Sequence, residues 1–260
     1  MSIAIVVPAR LESTRLANKL LLAETGLPLI CHTAETAARI RGLAPDLFAK
    51  VMVAADSPEL IRAVEGHSRA RGLEVEAVLT RKDHQSGSDR IAEAAENLPP
   101  EIDAILNLQG DEPELPPETA LSLASFRREN RPDIATLVYP LVNRRDQENS
   151  DLVKTVLGAD GRALYFSRAD IPFRRGDGPW APPSFGHVGI YLYRRDSLRR
   201  FVALPPGRLE RTEKLEQLRA LENGMEIYAL ILSSRPPKGI DTREDYADFV
   251  RRRTAGLKER

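Results

Sequence analysis

Three cations crowd the segment that follows the first apolar run. In Pro8-Ala9-Arg10-Leu11-Glu12-Ser13-Thr14-Arg15-Leu16-Ala17-Asn18-Lys19, Arg10, Arg15 and Lys19 fall within ten residues. Arginine offers planar, paired donors and lysine a compact point charge. Backbone N–H groups in such a loop can turn toward the same anion. A triphosphate is the anion that such a set would suit, although spacing by itself leaves open a solvated basic loop. No glycine-rich phosphate loop ending in Lys-Ser or Lys-Thr is present, which disfavours an ordinary P-loop ATPase.

Two acids stand out next. Asn107-Leu108-Gln109-Gly110-Asp111-Glu112-Pro113 places Asp111 after a glycine turn, and Gly239-Ile240-Asp241-Thr242 places Asp241 just before a helical pattern. A pair of carboxylates, with phosphate oxygens and water, is what Mg²⁺ prefers. The competing readings are a turn cap at Asp111 and an ordinary helix start at Asp241-Thr242, with Glu244 and Asp245 in the first turn. Thr80 to Arg90 is dense in hydrogen-bond donors; it suits the edge of a base, or a surface turn with Ser88 as an N-cap. Farther on, Phe185 to Tyr191 brings His187 and Tyr191 onto one strand. Glu216 and Gln217 fall in a helix whose core face is Leu215, Leu218 and Leu221. Cys31, the one cysteine, lies in an apolar run and reads as a buried structural thiol.

The elements around these residues alternate. Ile3–Val7, Lys50–Ala55, Val75–Leu79 and Asp103–Leu108 read as short buried strands. Helical patterns over Pro28–Ile40, Pro58–Arg71, Ser88–Leu98 and Pro117–Arg128 separate or follow them. Ser57-Pro58-Glu59 is a helix start and Gly72 a stop. Such alternation predicts an α/β fold with a mostly parallel sheet. Ligands of these sheets bind beyond the carboxyl ends of the strands. Those ends carry Arg10 to Lys19, Asp56, Thr80 to Asp89 and Gln109 to Pro113. The later part changes character: Asp160-Gly161 marks a hairpin between Lys154–Leu157 and Ala163–Phe166. Phe173–Ser184 reads as a loop, Val188–Tyr193 and Glu226–Leu232 as strands, and Glu210–Asn223 and Arg243–Arg253 as helices. The expected organisation is a single domain over 1–260, with about 143–184 as an inserted subregion suited to dimerisation.

Composition narrows the class. The 260 residues carry 38 Lys plus Arg and 38 Asp plus Glu, so net charge is zero and a nucleic-acid surface is not indicated. No apolar stretch approaches membrane-spanning length, and Met1–Val7 lacks the basic flank of a secretory signal. The single cysteine suits a reducing, cytoplasmic setting.

Taken together the motifs resemble the CMP-Kdo synthetases, the 3-deoxy-manno-octulosonate cytidylyltransferases, over nearly the whole chain. The narrow ones are Asp83-His84-Gln85-Ser86-Gly87, Tyr165-Phe166-Ser167-Arg168 and Glu216-Gln217-Leu218-Arg219. The resemblance implies a Rossmann-like nucleotide-diphospho-sugar transferase fold, a homodimer, and Mg²⁺ held by Asp111 and Asp241. It implies CTP and Kdo as substrates, within lipopolysaccharide biosynthesis. Arg10, Arg15 and Lys19 would hold the triphosphate, with Ala9, Ser13, Arg81 and Ser86 also at the nucleotide. Gln109, Arg168, His187, Tyr191, Glu216 and Gln217 would line the sugar acid.

Three departures from the family pattern stand out. Ala17-Asn18 replaces the usual Pro-Gly before Lys19, so a left-handed position falls to Asn18, which tolerates it better than most residues. Gly186 stands where the family often has Arg. The loop 173–184 is short. The alternatives are a cytidylyltransferase for another acid, such as 8-amino-Kdo or sialic acid, and a CTP-binding regulator without catalysis.

Overall fold

The computed structural model describes residues 1–12, 16–176 and 184–258, and the chain forms two compact units: Met1–Leu121 with Pro236–Arg260, and Ser122–Arg235. The first unit begins with β1 (Ile3–Ala9), α1 (Leu29–Leu43), β2 (Phe48–Ala55), α2 (Pro58–Arg71), β3 (Glu76–Leu79), α3 (Gly87–Ala95) and β4 (Ala104–Asn107). Its strands lie in the order β3-β2-β1-β4, and every pairing is parallel. β1 is wholly buried, as its unbroken apolar run requires in a sheet covered on both faces.

Register brings the polar strand ends together. Ala9 pairs with Ala55, so Arg10 and Asp56 leave the sheet side by side, and Asp56 N–H donates to the Ala9 carbonyl at 3.3 Å. Thr80 N–H donates to the Ala55 carbonyl at 2.8 Å, and Leu108 N–H to the Val6 carbonyl at 3.2 Å. Local signals explain the helices. Ser57 caps α2 by accepting from Leu60 N–H at 3.3 Å, with Pro58 in the first turn, and Gly72 ends it at φ 63°. The cap of α3 is Ser86, not Ser88. Ser86 is extended, its hydroxyl accepts from Asp89 N–H at 3.1 Å, and the Asp89 carboxylate accepts from Ser86 N–H at 3.0 Å.

Helix α4 (Pro117–Asn130) leads into the second unit. There follow β5 (Ile134–Pro140), α5 (Arg144–Glu148), β6 (Lys154–Leu157), β7 (Ala163–Ser167), β8 (Phe185–Arg194), α6 (Arg195–Ala203), α7 (Arg208–Glu213), α8 (Gln217–Glu222) and β9 (Ile227–Ile231). β5 runs parallel to β9 and antiparallel to β8, and β6 pairs antiparallel with β7 and β8. The hairpin turns at Gly161, φ 84°. The α/β expectation holds, with a mostly parallel central sheet and a small antiparallel addition.

The expected helix 210–223 is broken. Lys214 sits at φ 55°, and the chain restarts as α8. Glu213 explains the break: its carboxylate accepts from Ser167 Oγ at 2.5 Å and Arg168 N–H at 3.0 Å, and its carbonyl from Arg168 Nε at 3.1 Å. Helix α6 lies outside the elements expected from sequence; Leu198 and Phe201, one turn apart, are on its buried face. The chain then returns to the first unit as α9 (Arg243–Lys258), where Tyr246 Oη accepts from Glu24 N–H at 2.9 Å. Among the described residues, no helix is long and apolar enough to cross a membrane.

Candidate active site

In the first unit, Lys19 lies between the two acids singled out by sequence. Its ammonium pairs closely with Asp111 and stands 3.1 Å from Asp241 Oδ1; it also donates to the Ile240 carbonyl at 3.0 Å. Burial pulls this ammonium toward neutrality, but the two carboxylates outweigh it and leave its pKa above the ordinary value. Asn18 makes the approach possible. It adopts φ 50°, ψ 30°, directly before the one-turn 3-10 helix Lys19–Leu21, and so takes the left-handed position that its missing glycine would have filled.

The acids are held by backbone. Ile240 N–H donates to the Asp111 carbonyl at 2.9 Å, tying the two acidic segments together. Gly110 is required by proximity: a Cβ there would lie 2.8 Å from the Pro8 carbonyl oxygen. Glu112 joins the cluster, its carboxyl raised to about 8 by burial and by the neighbouring charges of Asp111 and Asp241. Thr242 has the ordinary helix-start role. Its hydroxyl accepts from Asp245 N–H at 3.1 Å, while Asp245 Oδ2 accepts from Thr242 N–H at 2.9 Å. Asp241 is the residue left pointing at Lys19.

Two cavities meet here. One, of ≈ 540 Å³, is lined by Arg10, Leu11, Glu12, Asn18, Asp56 and Lys82. The other, of ≈ 320 Å³, is lined by Arg10, Lys19, Gly87, Gln109, Asp111 and Asp241. Arg10 belongs to both and donates to the His84 carbonyl at 2.7 Å. Asp56 Oδ1 accepts from Leu11 N–H at 2.9 Å, and its other oxygen faces the fully buried Arg90 at 3.4 Å. Arg90 also donates to the Arg81 carbonyl at 3.0 Å. Sequence places Asp56, Lys82 and Arg90 at the ligand edge but assigns none of them a role of its own. A charged residue directly after a buried strand was the signal available for Asp56.

Other expected nucleotide residues divide. Ser13 and Arg15 lie outside the described residues. Ala9 closes β1 and is buried. Ser86 gives its hydroxyl proton to Asp89, at 2.9 Å. Arg81 is exposed and faces Glu93 at 3.4 Å.

The second unit gathers most of the residues expected at a sugar acid. His187 Nε2 lies 3.0 Å from Thr136 Oγ1, and its ring meets Phe166 edge-on and Tyr191 at 5.4 Å. The imidazole keeps some exposed surface but is densely enclosed, and burial lowers its pKa to about 3. Burial also drives the Tyr191 hydroxyl well above its ordinary value, with Tyr193 and Glu216 adding to it. Arg168 is anchored by Glu213, and Gln217 is buried. Gln109, in the first unit, donates to Asn107 Oδ1 at 2.9 Å. Gly186 is explained by its neighbour: a Cβ there would sit 2.3 Å from the Tyr139 ring. Tyr139 fills the space that a side chain at 186 would take.

A sequence profile of the cytidylyltransferase family matches residues 4–227. The 3-deoxy-manno-octulosonate cytidylyltransferase of Paramagnetospirillum magneticum is 44% identical over 248 residues, 93% of each chain. That of Chlorobium phaeobacteroides is 43% identical over 255 residues, covering 97% of this chain and 96% of its own. The chain belongs to the 3-deoxy-manno-octulosonate cytidylyltransferase family. A solved structure of CMP:2-keto-3-deoxy-manno-octonic acid synthetase complexed with CTP superposes on this cytidylyltransferase over 100% of both chains, with TM-score 0.83 and 36% identity. A glucose-1-phosphate thymidylyltransferase from Bacillus anthracis, TM-score 0.64 at 14% identity over 97% of this chain and 95% of its own, shares the fold. Within the cytidylyltransferase family the departures at Asn18 and Gly186 are therefore local substitutions with local accommodation.

Proposed function

We propose that the protein transfers CMP from CTP to the anomeric hydroxyl of Kdo, releasing pyrophosphate. The observation that carries this reading is the convergence of Asp111 and Asp241 on the Lys19 ammonium, beside cavities that share Arg10. It is supported by family membership along nearly the whole chain.

Transfer of this kind asks the protein mainly for position and charge. Arg10, Lys19 and, by resemblance, Arg15 grip the triphosphate. They hold the α-phosphorus in line with the incoming hydroxyl. The new bond joins the sugar oxygen to the α-phosphorus; the bond from that phosphorus to the bridging oxygen of pyrophosphate breaks, and the hydroxyl proton passes to solvent water. Negative charge grows on pyrophosphate, and the cations that already hold it stabilise it there.

Mg²⁺ fits the donor set. Two carboxylates already focus on one positive centre, which is the arrangement a divalent ion uses when phosphate and water complete its shell. Among the described residues no group of three His, Cys, Asp or Glu forms an all-protein cage. Asp111 and Asp241 would hold the ion, which would neutralise charge on the transferring phosphate. By resemblance, Arg168, His187, Tyr191, Glu216 and Gln217 would serve the sugar acid, as would Gln109 of the first unit, and Arg81 and Ser86 would serve the nucleoside. Exposed Leu164 and Phe173 support homodimer assembly through the 143–184 region, which light scattering would test.

Mass spectrometry of a reaction with CTP, Kdo and Mg²⁺ should find CMP-Kdo, and Asp111→Asn should abolish it. A chain that binds CTP yet forms no product would instead be a regulator.

A further inference from the structure

Thr136 is fully buried on β5, opposite an irregularity of β8. The register steps from Thr136–Tyr191 to Leu137–Val188, leaving Gly189 and Ile190 as extra residues. A bulge of this kind disturbs the ladder and re-aims neighbouring side chains. Two carbonyls, those of Ile190 at 2.8 Å and Val188 at 3.2 Å, turn onto the Thr136 hydroxyl, and His187 Nε2 lies 3.0 Å from the same oxygen. A hydroxyl has one proton and can also accept. If that proton goes to the nearer carbonyl, that of Ile190, the imidazole must donate, and the hydroxyl then both gives and receives a hydrogen bond. If the proton went to the imidazole instead, both buried carbonyls would lose their only hydroxyl donor, which costs more. Among the described residues no group bonds Nδ1.

We propose that Thr136 is a positioning residue that holds neutral His187 as its Nε2–H tautomer, leaving Nδ1 as a hydrogen-bond acceptor for a hydroxyl of the sugar acid. The inference rests on the reading above that His187 serves the sugar acid. It gives that residue a definite polarity: His187 accepts from the substrate and does not donate to it. The β8 bulge is then a functional feature of the strand, since it supplies the carbonyls that fix the hydroxyl of Thr136.

The test is long-range proton–nitrogen NMR on protein labelled with ¹⁵N histidine. The chain has 4 histidines, and His187→Gln identifies the signal of interest. The wild-type signal should show a protonated Nε2 and a bare Nδ1. Thr136→Val, of the same shape but without the hydroxyl, should lose that pattern, and Thr136→Ser should keep it. In parallel, Thr136→Val should raise KM for Kdo or lower kcat by roughly 3- to 10-fold, the size of one hydrogen bond, with KM for CTP unchanged. A protonated Nδ1 in the wild type, or an unaltered tautomer in Thr136→Val, overturns the proposal. So does a tautomer change without any effect on Kdo kinetics, because Thr136 then positions nothing the reaction uses. Failure of the functional reading looks different: the wild type would release no pyrophosphate with Kdo.

Discussion

Lys19 is half-buried between two acids, and its positive charge is secured by them. Lys19→Ala should cost about 2–4 kcal/mol of transition-state stabilisation, the size expected for one positioned electrostatic group. In kcat/KM this is a loss of roughly 30- to 1000-fold. The variant should still fold. Because the folded pKa of Lys19 is raised, its ion pairs contribute fully below the unfolded value of about 10.4 and fade only as pH rises through the folded value. Urea unfolding of wild type and variant should therefore differ by a constant amount between pH 6 and 7, below the titration of Glu112, on which Lys19 also acts; a difference that grows or shrinks in that window would contradict the assignment.

At the scale of elements, glycine and ion pairs fix where segments meet. Gly110→Ala should push the Asp111 turn away from Pro8 and cost about 1–3 kcal/mol by overpacking, with a larger loss of activity than of stability. Thermal unfolding alongside turnover would separate the two effects. In the second unit, Arg219 joins α7 to α8: it donates to Glu210 at 2.8 and 2.6 Å, reaches the Leu204 carbonyl at 3.2 Å, and lies over the Phe201 ring. Burial raises the pKa of Glu210, but the Arg219 hydrogen bonds outweigh it and the net shift is downward. Its stabilisation is thus complete above the unfolded carboxylate value and is lost as pH falls through the lower folded one. Glu210→Gln should destabilise by about 1–3 kcal/mol near neutral pH, with the gap closing in acid. A gap independent of pH would assign the loss to packing.

At the scale of the molecule, much was legible. Continuous apolar runs such as Ile3–Val7 admit one reading, a buried strand, and the polar residues after each strand mark the ligand edge. Residue type and spacing single out Lys19, Asp111 and Asp241, and the family resemblance, which has glycine before the lysine, implies the left-handed turn at Asn18. What was not legible depends on distant partners. The break at Lys214 follows from Glu213 reaching Ser167 and Arg168, residues far away in sequence. The cap at Ser86, by contrast, follows from a local signal, its reciprocal pairing with Asp89 three residues on. The space at Gly186 has meaning only once Tyr139 is seen to fill it.

The central claim is the identity of the acceptor. Pyrophosphate release from CTP with Mg²⁺ should be followed with Kdo, 8-amino-Kdo and sialic acid offered in parallel. Release with Kdo alone is the expected result. Release only with another acid would keep the phosphoryl chemistry of Lys19, Asp111 and Asp241 but contradict the assigned substrate, and silence with all three would contradict catalysis itself.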